Sequence, residues 1–335
     1  MNLMEYKNER LQEFKALLTS ENEALLTAIR QAEIKNRWFS EANIWKSIEA
    51  IRSQFLDKSL LQAWLGAYDF KAVDKTIGII TAGNIPLVGF HDVLCAFVAN
   101  AKTKIKLSSK DEALMKFFIN ELKGLDITWD VEIIDRLTDF QAVIATGSDN
   151  SNRYFEQYFK KVPSILRGNR NSLAVLNGKE TKEQLDALSE DIFNYFGLGC
   201  RNVSKIFVPR DYDITKLFPH FDLFQDYVNH NLYKDNYDYN RTLLLMNLDK
   251  HLANDFVIVK EDESMHSRLA TVHYAFYDQP AEVQDYIIEN NTGIQVVVSQ
   301  ESDLWSHLAF GQSQAPRLND YADNIDTMEF LLKLS

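Results

Sequence analysis

The chain has 335 residues, of which 46% are hydrophobic, and a formal net charge of −12. This composition excludes global disorder, and the length predicts two or three domains with a large buried core. The acidic balance argues against nucleic acid as a partner, because phosphate binding depends on clusters of Lys and Arg that are not found in this sequence.

The N-terminus and the cysteine content favour the cytoplasm. Residues 1–10 carry early charges and no apolar stretch follows them, so we expect no signal peptide. The longest apolar run, around residues 92–101, is too short to span a membrane. Two cysteines cannot form a disulfide framework, and no Cys or His cluster has metal-ligand spacing. We therefore predict a cytoplasmic protein with no membrane span and no metal.

The chain begins with a helical pattern and then becomes mixed. Residues 9–68 carry large apolar side chains at helical intervals, which predicts two or three helices, with Ser40 in a plausible N-terminal cap. From residue 76, short apolar runs alternate with amphipathic stretches that predict helices over 88–101, 113–122 and 150–161. The predicted strands are 76–81, 103–107, 127–134, 142–146, 172–176, 205–208, 243–246, 256–259 and 293–298.

This alternation predicts an α/β fold with a parallel sheet and ligand-binding turns at the carboxyl ends of its strands. We expect a helical N-terminal region over 1–75, a cofactor domain over 76–170 and a catalytic domain over 171–301.

Cys200 is the strongest candidate for chemistry. It follows the turn Gly197-Leu198-Gly199 and precedes a β-branched strand, so its thiol is expected to be reachable by substrate. Backbone N–H groups, with Arg201 and Lys205 nearby, would favour the reactive thiolate. The alternative is a buried, inert cysteine, which is common for this residue type.

The turns after three predicted strands carry candidate binding groups. Glycine permits close approach of the backbone to a ligand, Asn84 offers an amide donor, and the Gly-Ser pair opens a helix whose N-terminus suits a phosphate. Each turn alone is also typical of an arbitrary α/β protein. The candidate residues for cofactor binding are Thr81, Gly83, Lys106, Ser108, Ser109, Gly147 and Ser148.

Taken in order, these segments resemble the aldehyde dehydrogenase superfamily, and within it the acyl-CoA reductase branch of bacterial luminescence and its shorter relatives. The matching segments are Asn84-Ile85-Pro86, Lys106-Leu107-Ser108, Gly147-Ser148 and the stretch from Gly199 to Lys205. The resemblance implies that Asn84 helps to form an oxyanion hole, that Lys106 and Ser108 contact the cofactor ribose and that Gly147 and Ser148 lie near the pyrophosphate. It also implies that Cys200 is the nucleophile.

One departure from the family pattern is informative. Where aldehyde-oxidising relatives have Glu-Leu-Gly-Gly, this chain has Leu166-Arg167-Gly168-Asn169, so the carboxylate that activates water is absent. Its absence favours a reductase, because a base beside the acyl-enzyme intermediate would activate water and the intermediate would be lost by hydrolysis. The resemblance then implies reduction of a fatty acyl-CoA, or of an acyl-carrier thioester, to the aldehyde. The alternatives are a hydrolytic or a non-catalytic aldehyde-dehydrogenase-like protein.

The resemblance also bears on the cofactor and on partners. NAD-preferring relatives have an acidic residue where this chain has Ser109, and Lys110 can pair with a 2′-phosphate, so we expect NADPH, with NADH as the alternative. Asp111, beside Lys110, weakens this argument. The resemblance further implies a homo-oligomer, a partner enzyme that activates the acyl group, and packing of residues 302–335 onto the cofactor domain.

Several other features have ordinary explanations. Cys95 lies in an apolar helix and is expected in the core, and His91 at the start of that helix is expected to be structural. Arg167 and Arg170 either bind the nucleotide of CoA or flank a hinge. The tyrosine- and asparagine-rich tract 227–240 suits a lid over an acyl channel or an oligomer interface.

Overall fold

The computed structural model describes residues 3–71, 73–300 and 308–334. The chain divides into two compact units, the first formed by residues 1–169 and 316–335 and the second by residues 170–315. The predicted start of the catalytic domain, residue 171, lies next to the observed division. The predicted helical region belongs to the same unit as the first sheet, and the chain re-enters that unit at residue 316. Residues 302–307 of the predicted C-terminal return lie outside the described residues.

The described residues form twelve α-helices. They are α1 (Leu3–Leu17), α2 (Glu23–Lys35), α3 (Glu41–Ala50), α4 (Lys58–Leu65), α5 (Phe90–Val98), α6 (Glu112–Leu125), α7 (Asp149–Phe159), α8 (Lys182–Phe193), α9 (Phe218–Phe221), α10 (Asn231–Met246), α11 (Pro280–Glu289) and α12 (Thr327–Leu332). Ser40 caps α3 as expected, because its side chain accepts the backbone N–H of Asn43. None of the helices in the described ranges is long and apolar enough to cross a membrane.

The strands form two sheets. They are β1 (Ile77–Ile80), β2 (Thr103–Lys106), β3 (Val131–Ile133), β4 (Ala142–Thr146), β5 (Ser164–Arg167), β6 (Asn171–Val175), β7 (Val203–Pro209), β8 (Leu252–Ala253), β9 (Ile258–Glu261), β10 (Thr271–Tyr277) and β11 (Ile294–Ser299). The first sheet has the order β3-β2-β1-β4-β5 and is parallel throughout. The second has the order β11-β6-β7-β10-β9-β8, with only β8 antiparallel. The predicted α/β class is confirmed.

The core of the first unit joins the N-terminal helices to the sheet. Phe14 of α1 packs edge-on against Phe118 of α6 at 5.2 Å between ring centroids, and Phe118 also contacts Phe90 of α5. The ammonium group of Lys7 lies 2.7 Å from the carboxylate of Asp126 in a fully buried ion pair. A buried pair of this kind is costly to break from one side, so it fixes α1 to the end of α6.

One strand prediction is wrong. Residues 243–246 form the last turn of α10 and not a strand. His230 caps the start of this helix, and Asn240 donates from its side chain to the carbonyl of Leu269 at 2.8 Å. Leu and Met have high helix propensity, and a four-residue apolar run has no periodicity of its own. Met246 is 76% exposed, unlike a residue of a core strand.

Candidate active site

The candidate cofactor residues lie at the carboxyl ends of strands in the first sheet, which we call the sheet edge. From the central strand β1, the chain order runs outward through β2 and β3 on one side and through β4 and β5 on the other. Such a reversal opens a crevice at the carboxyl ends of the central strands. The residues that end β1, β2 and β4 or follow them are Thr81, Gly83, Asn84, Lys106, Ser108, Ser109, Gly147 and Ser148. The topology of this one unit therefore assembles every predicted site residue except Cys200.

The turns after β1 and β2 are tied to one another. The backbone N–H of Ser108 donates to Thr81 Oγ1 at 3.1 Å, and the backbone N–H of Thr81 donates to the carbonyl of Lys106 at 3.1 Å. A Cβ atom at Gly83 would lie 2.5 Å from Ser108 Oγ, so only glycine permits this approach. Thr81 is buried, and its hydroxyl holds the neighbouring turn in place.

Asp111 lies beneath these turns. Its side chain is 1% exposed, and its Oδ2 accepts the backbone N–H of Leu87 at 2.7 Å. Leu87 has a φ of 58°, a left-handed conformation that this contact helps to hold. Burial raises the pKa of Asp111 well above its ordinary value. The carboxyl group therefore points inward and does not oppose an anion at the surface beside Ser109 and Lys110, both of which are exposed.

Gly147 and Ser148 immediately precede α7, and Ser148 is its N-cap. Ser148 Oγ accepts the backbone N–H of Ser151 at 3.4 Å, which caps the helix. A Cβ atom at Gly147 would lie 2.8 Å from the Cβ of Ser151, so the first turn of the helix requires glycine there. These local contacts explain both residue types without a ligand, and the turn still presents the N-terminus of α7 at the sheet edge.

Asn84 lies half-buried in the turn between β1 and α5. Pro86 and Leu87 after it are buried, so the segment is anchored just downstream of the amide. His91 and Cys95 on α5 have the structural roles expected for them. His91 Nε2 lies 3.0 Å from the carbonyl of Leu318, Cys95 is 0% exposed, and burial raises the pKa of its thiol.

Cys200 lies in the second unit, in residues 194–202, which we call the Cys200 loop. This loop joins α8 to β7, and Cys200 is half-buried within it. Tyr195, Phe196 and Gly197 have φ values of 55°, 59° and 74°. A left-handed conformation costs a non-glycine residue about 1–2 kcal/mol. The two aromatic residues therefore need compensating contacts to stay in this conformation.

Aromatic packing supplies part of that compensation. The ring of Phe196 lies 4.4 Å from that of Tyr227 and 4.5 Å from that of His230, measured between centroids. The hydroxyl of Tyr227 donates to the carbonyl of Phe193 at 2.9 Å. The tract 227–240 therefore packs on the Cys200 loop through its first residues, and Tyr233 within it is 1% exposed.

Asn202 supplies further compensating contacts, and sequence reasoning missed this residue. Its side-chain amide nitrogen donates to the carbonyls of Asp191, Ile192 and Asn194 at 3.2, 3.1 and 2.9 Å, and its Oδ1 accepts the backbone N–H of Gly199 at 2.8 Å. Carbonyls at the end of a helix lack partners within the helix, so one side chain satisfies them and also fixes the turn before Cys200. The only sequence signal was an Asn two positions after the cysteine.

Two basic residues have structural roles. The ammonium group of Lys205 donates to the carbonyls of Asp262 and Glu263 at 2.9 and 2.7 Å, and burial lowers its pKa. Arg167 is 3% exposed; its Nη1 donates to both carboxylate oxygens of Asp92 at 2.8 and 2.6 Å, and its Nη2 donates to Thr327 Oγ1 at 2.8 Å. These partners occupy Arg167 within the first unit, which removes it as a candidate for binding CoA.

The family model for acyl-CoA reductase (LuxC) matches residues 5–217, a span that includes the Asn84 turn and Cys200. The chain belongs to the acyl-CoA reductase (LuxC) family. This confirms the resemblance drawn from the sequence motifs. It also supports the coarser functional statement, that the protein is an oxidoreductase of the aldehyde and acyl-group class.

Solved structures give the same fold for this LuxC-family chain. Aldehyde dehydrogenase 21 from Physcomitrella patens, in complex with the reaction product succinate, is similar at a TM-score of 0.68 and 12% identity, over 100% of this chain and 84% of that one. An NAD-dependent benzaldehyde dehydrogenase from Corynebacterium glutamicum has a TM-score of 0.68 at 11% identity, over 92% of this chain and 77% of that one. No curated protein sequence matches significantly. The structural likenesses show the aldehyde dehydrogenase fold.

Proposed function

We propose that the protein reduces a fatty acyl-CoA, or the same acyl group on a carrier protein, to the aldehyde with NADPH. The observation that carries this proposal is Cys200, a half-buried thiol on a Gly-Leu-Gly turn in a chain of the acyl-CoA reductase family. Leu166, the side chain at the position of the missing carboxylate, is apolar and lies in β5. A hydrolytic reaction would need a base that this position does not supply.

The sheet edge of the first unit fits a nicotinamide cofactor. The turns after β1 and β2 approach closely at Gly83 and Ser108, and the N-terminus of α7 is presented after Gly147. We assign ribose contacts to Lys106 and Ser108, pyrophosphate contacts to Gly147 and Ser148, and support of the β1 turn to Thr81. When bound, the cofactor supplies the hydride that reduces the acyl group.

The choice of NADPH rests on Ser109 and Lys110. Both are exposed, and the acidic neighbour Asp111 is buried with its carboxyl group turned toward Leu87. The side chain of Asp111 also makes no capping hydrogen bond at the start of α6, and the carboxylate of Glu112 in the first turn of that helix is paired with Lys35 and Lys116. This environment favours a 2′-phosphate over a bare 2′-hydroxyl.

The chain's own groups carry the acyl transfer. The thiolate of Cys200 attacks the thioester carbonyl, a new carbon–sulfur bond forms, and the CoA or carrier thiolate leaves and is protonated. After reduction of acyl-Cys200, the thiohemiacetal oxyanion collapses, the bond to Cys200 breaks and the aldehyde departs. Asn84 is assigned as a hydrogen-bond donor to the oxyanion formed in each half of the cycle.

The test is covalent capture of the acyl group. We expect incubation with palmitoyl-CoA, without NADPH, to add the acyl mass to wild-type protein and to the control Cys95→Ala, but not to Cys200→Ala. Cys95 is the matched control because it is the other thiol and is fully buried. Addition of NADPH should then release the aldehyde and remove the adduct. No adduct on wild type, or an equal adduct on Cys200→Ala, would contradict the mechanism and favour a non-catalytic protein.

A further inference from the structure

We infer that Asn202, together with Ser172 on β6, positions Cys200 for acyl transfer, acting through the backbone of the Cys200 loop. The inference rests on the proposed role of Cys200 as the acyl carrier. In that proposal neither side chain touches the acyl group or the cofactor. Within the described part of the chain, the hydrogen bonds of these two side chains all lie in the second unit.

Peptide groups before and after Cys200 are held by hydrogen bonds. The N–H of Gly199 donates to Asn202 Oδ1 at 2.8 Å, and the carbonyl of Gly199 accepts the backbone N–H of Asn202 at 3.0 Å. The carbonyl of Cys200 accepts the hydroxyl of Ser172, on β6, at 3.0 Å. Asn202 thus fixes the peptides before Cys200, and Ser172 fixes the peptide after it.

The same side chain fixes this turn relative to α8. Its amide nitrogen donates hydrogen bonds to the carbonyls of Asp191, Ile192 and Asn194. The turn and the helix end therefore share Asn202, which is 5% exposed, as a hydrogen-bond partner. Residues 195–197, between the helix end and the turn, have a left-handed backbone that is unfavourable for the two aromatic residues. We expect this segment to relax without the hydrogen bonds of Asn202. Loss of the amide therefore frees the Cys200 loop to move.

Movement of the loop should affect acyl transfer more than simple reactivity of the thiol. A displacement of about 1 Å in a reacting group can cost about 100-fold in rate, because attack on a carbonyl requires a defined approach. Alkylation by iodoacetamide needs only an accessible thiol. The ratio of the two rates separates positioning from general destabilisation.

The experiment compares Asn202→Ala with Asn254→Ala. Asn254 is a half-buried amide of the second unit that also binds backbone, since its Oδ1 accepts the N–H groups of Phe256 and Val257 at 3.1 and 2.9 Å. The probes are p-nitrophenyl acetate, which acylates a cysteine without a CoA site, and iodoacetamide. We expect the nitrophenolate burst of folded Asn202→Ala to be about 100-fold slower than that of wild type, with alkylation changed by less than about 3-fold. Asn254→Ala should match wild type with both probes.

A milder variant covers the case in which Asn202→Ala does not fold. Ser172→Ala removes only the hydroxyl that holds the carbonyl of Cys200, and we expect its burst to be about 10-fold slower. A burst at the wild-type rate in either folded variant, equal loss of burst and alkylation, or no burst in wild type would each overturn the inference. Palmitoyl-CoA tests the proposed function separately, because a wild type that reacts with the ester but not with the thioester contradicts that function alone.

Discussion

The two candidate regions of this molecule are built in different ways. The turns at the sheet edge of the first unit follow directly from strand order, and among residues 81–90 only Leu87 has a positive φ. The Cys200 loop of the second unit contains three consecutive residues with positive φ and depends on a buried amide. Strand topology therefore determines where the first region lies. The second region depends instead on local contacts that compensate for an unfavourable backbone conformation.

Two buried carboxyl groups also differ between the two units, in the number of backbone N–H groups that they accept. Asp111, in the first unit, accepts one backbone N–H, that of Leu87. Asp191, in the second, accepts the backbone N–H groups of Gly311 and Ser313 at 2.6 and 2.9 Å, while its own carbonyl binds Asn202. Asp191 thus ties the segment 311–313 to the end of the helix that leads into the Cys200 loop.

The largest effect within the first region is expected at Asn84. If the turn only presents a donor to the oxyanion, Asn84→Ala should fold normally and keep its cofactor affinity while losing about 100-fold or more in turnover, or about 3 kcal/mol of transition-state stabilisation. Steady-state kinetics and cofactor titration measure the two quantities. An unchanged turnover would assign the oxyanion donor elsewhere.

The next largest effect is expected at the exposed residues of the same region. Ser109→Glu should repel a 2′-phosphate and accept the 2′-hydroxyl of NADH, moving the NADPH/NADH specificity ratio by about 10-fold to 100-fold toward NADH. Lys110→Ala should weaken NADPH selectively. Titration of both cofactors against wild type is the control, and tighter binding of NADH by wild type would show that this turn is wrongly assigned.

A pH experiment tests the second region. Burial raises the pKa of Asp191 from 3.8 to about 6, so the native state holds this proton more tightly than the unfolded chain does. Its contribution to stability is therefore present at low pH and lost as the pH rises through about 6. Relative to Asp191→Asn, wild type should lose about 2 kcal/mol of unfolding free energy between about pH 4 and about pH 7. Urea unfolding measures this difference, and parallel pH profiles would contradict it.

The smallest expected effects are the changes in stability caused by two glycine substitutions, one in each unit. Gly197→Ala places a Cβ on a residue with a φ of 74° in the Cys200 loop and should cost about 1–2 kcal/mol. Gly124→Ala, on α6, meets no atom within 4 Å and should stabilise the protein by about 0.5–1 kcal/mol. Thermal unfolding of the two variants gives the comparison. Equal shifts would mean that the left-handed segment relaxes at little cost.

The sequence identified the strands and turns of the first region well. Short β-branched runs such as Thr103–Lys106 end in polar and glycine-containing turns, and that pattern marks both the strand and the place where it stops. The candidate residues at the sheet edge could therefore be named before the fold was known. The strands β5, β8 and β10 were missed, because their runs are short or mix aromatic and polar residues without clear alternation.

The sequence by itself thus determined the fold class, the family motifs and the candidate cysteine, because each is marked by a local pattern of neighbouring residues. Only the tertiary structure decided what holds Cys200, what occupies Arg167 and which way Asp111 turns. Those answers depend on partners such as Asp92, which lies far from Arg167 in the chain but next to it in the folded first unit. Buried polar groups must find hydrogen-bond partners wherever the fold supplies them, and local sequence does not record where that will be.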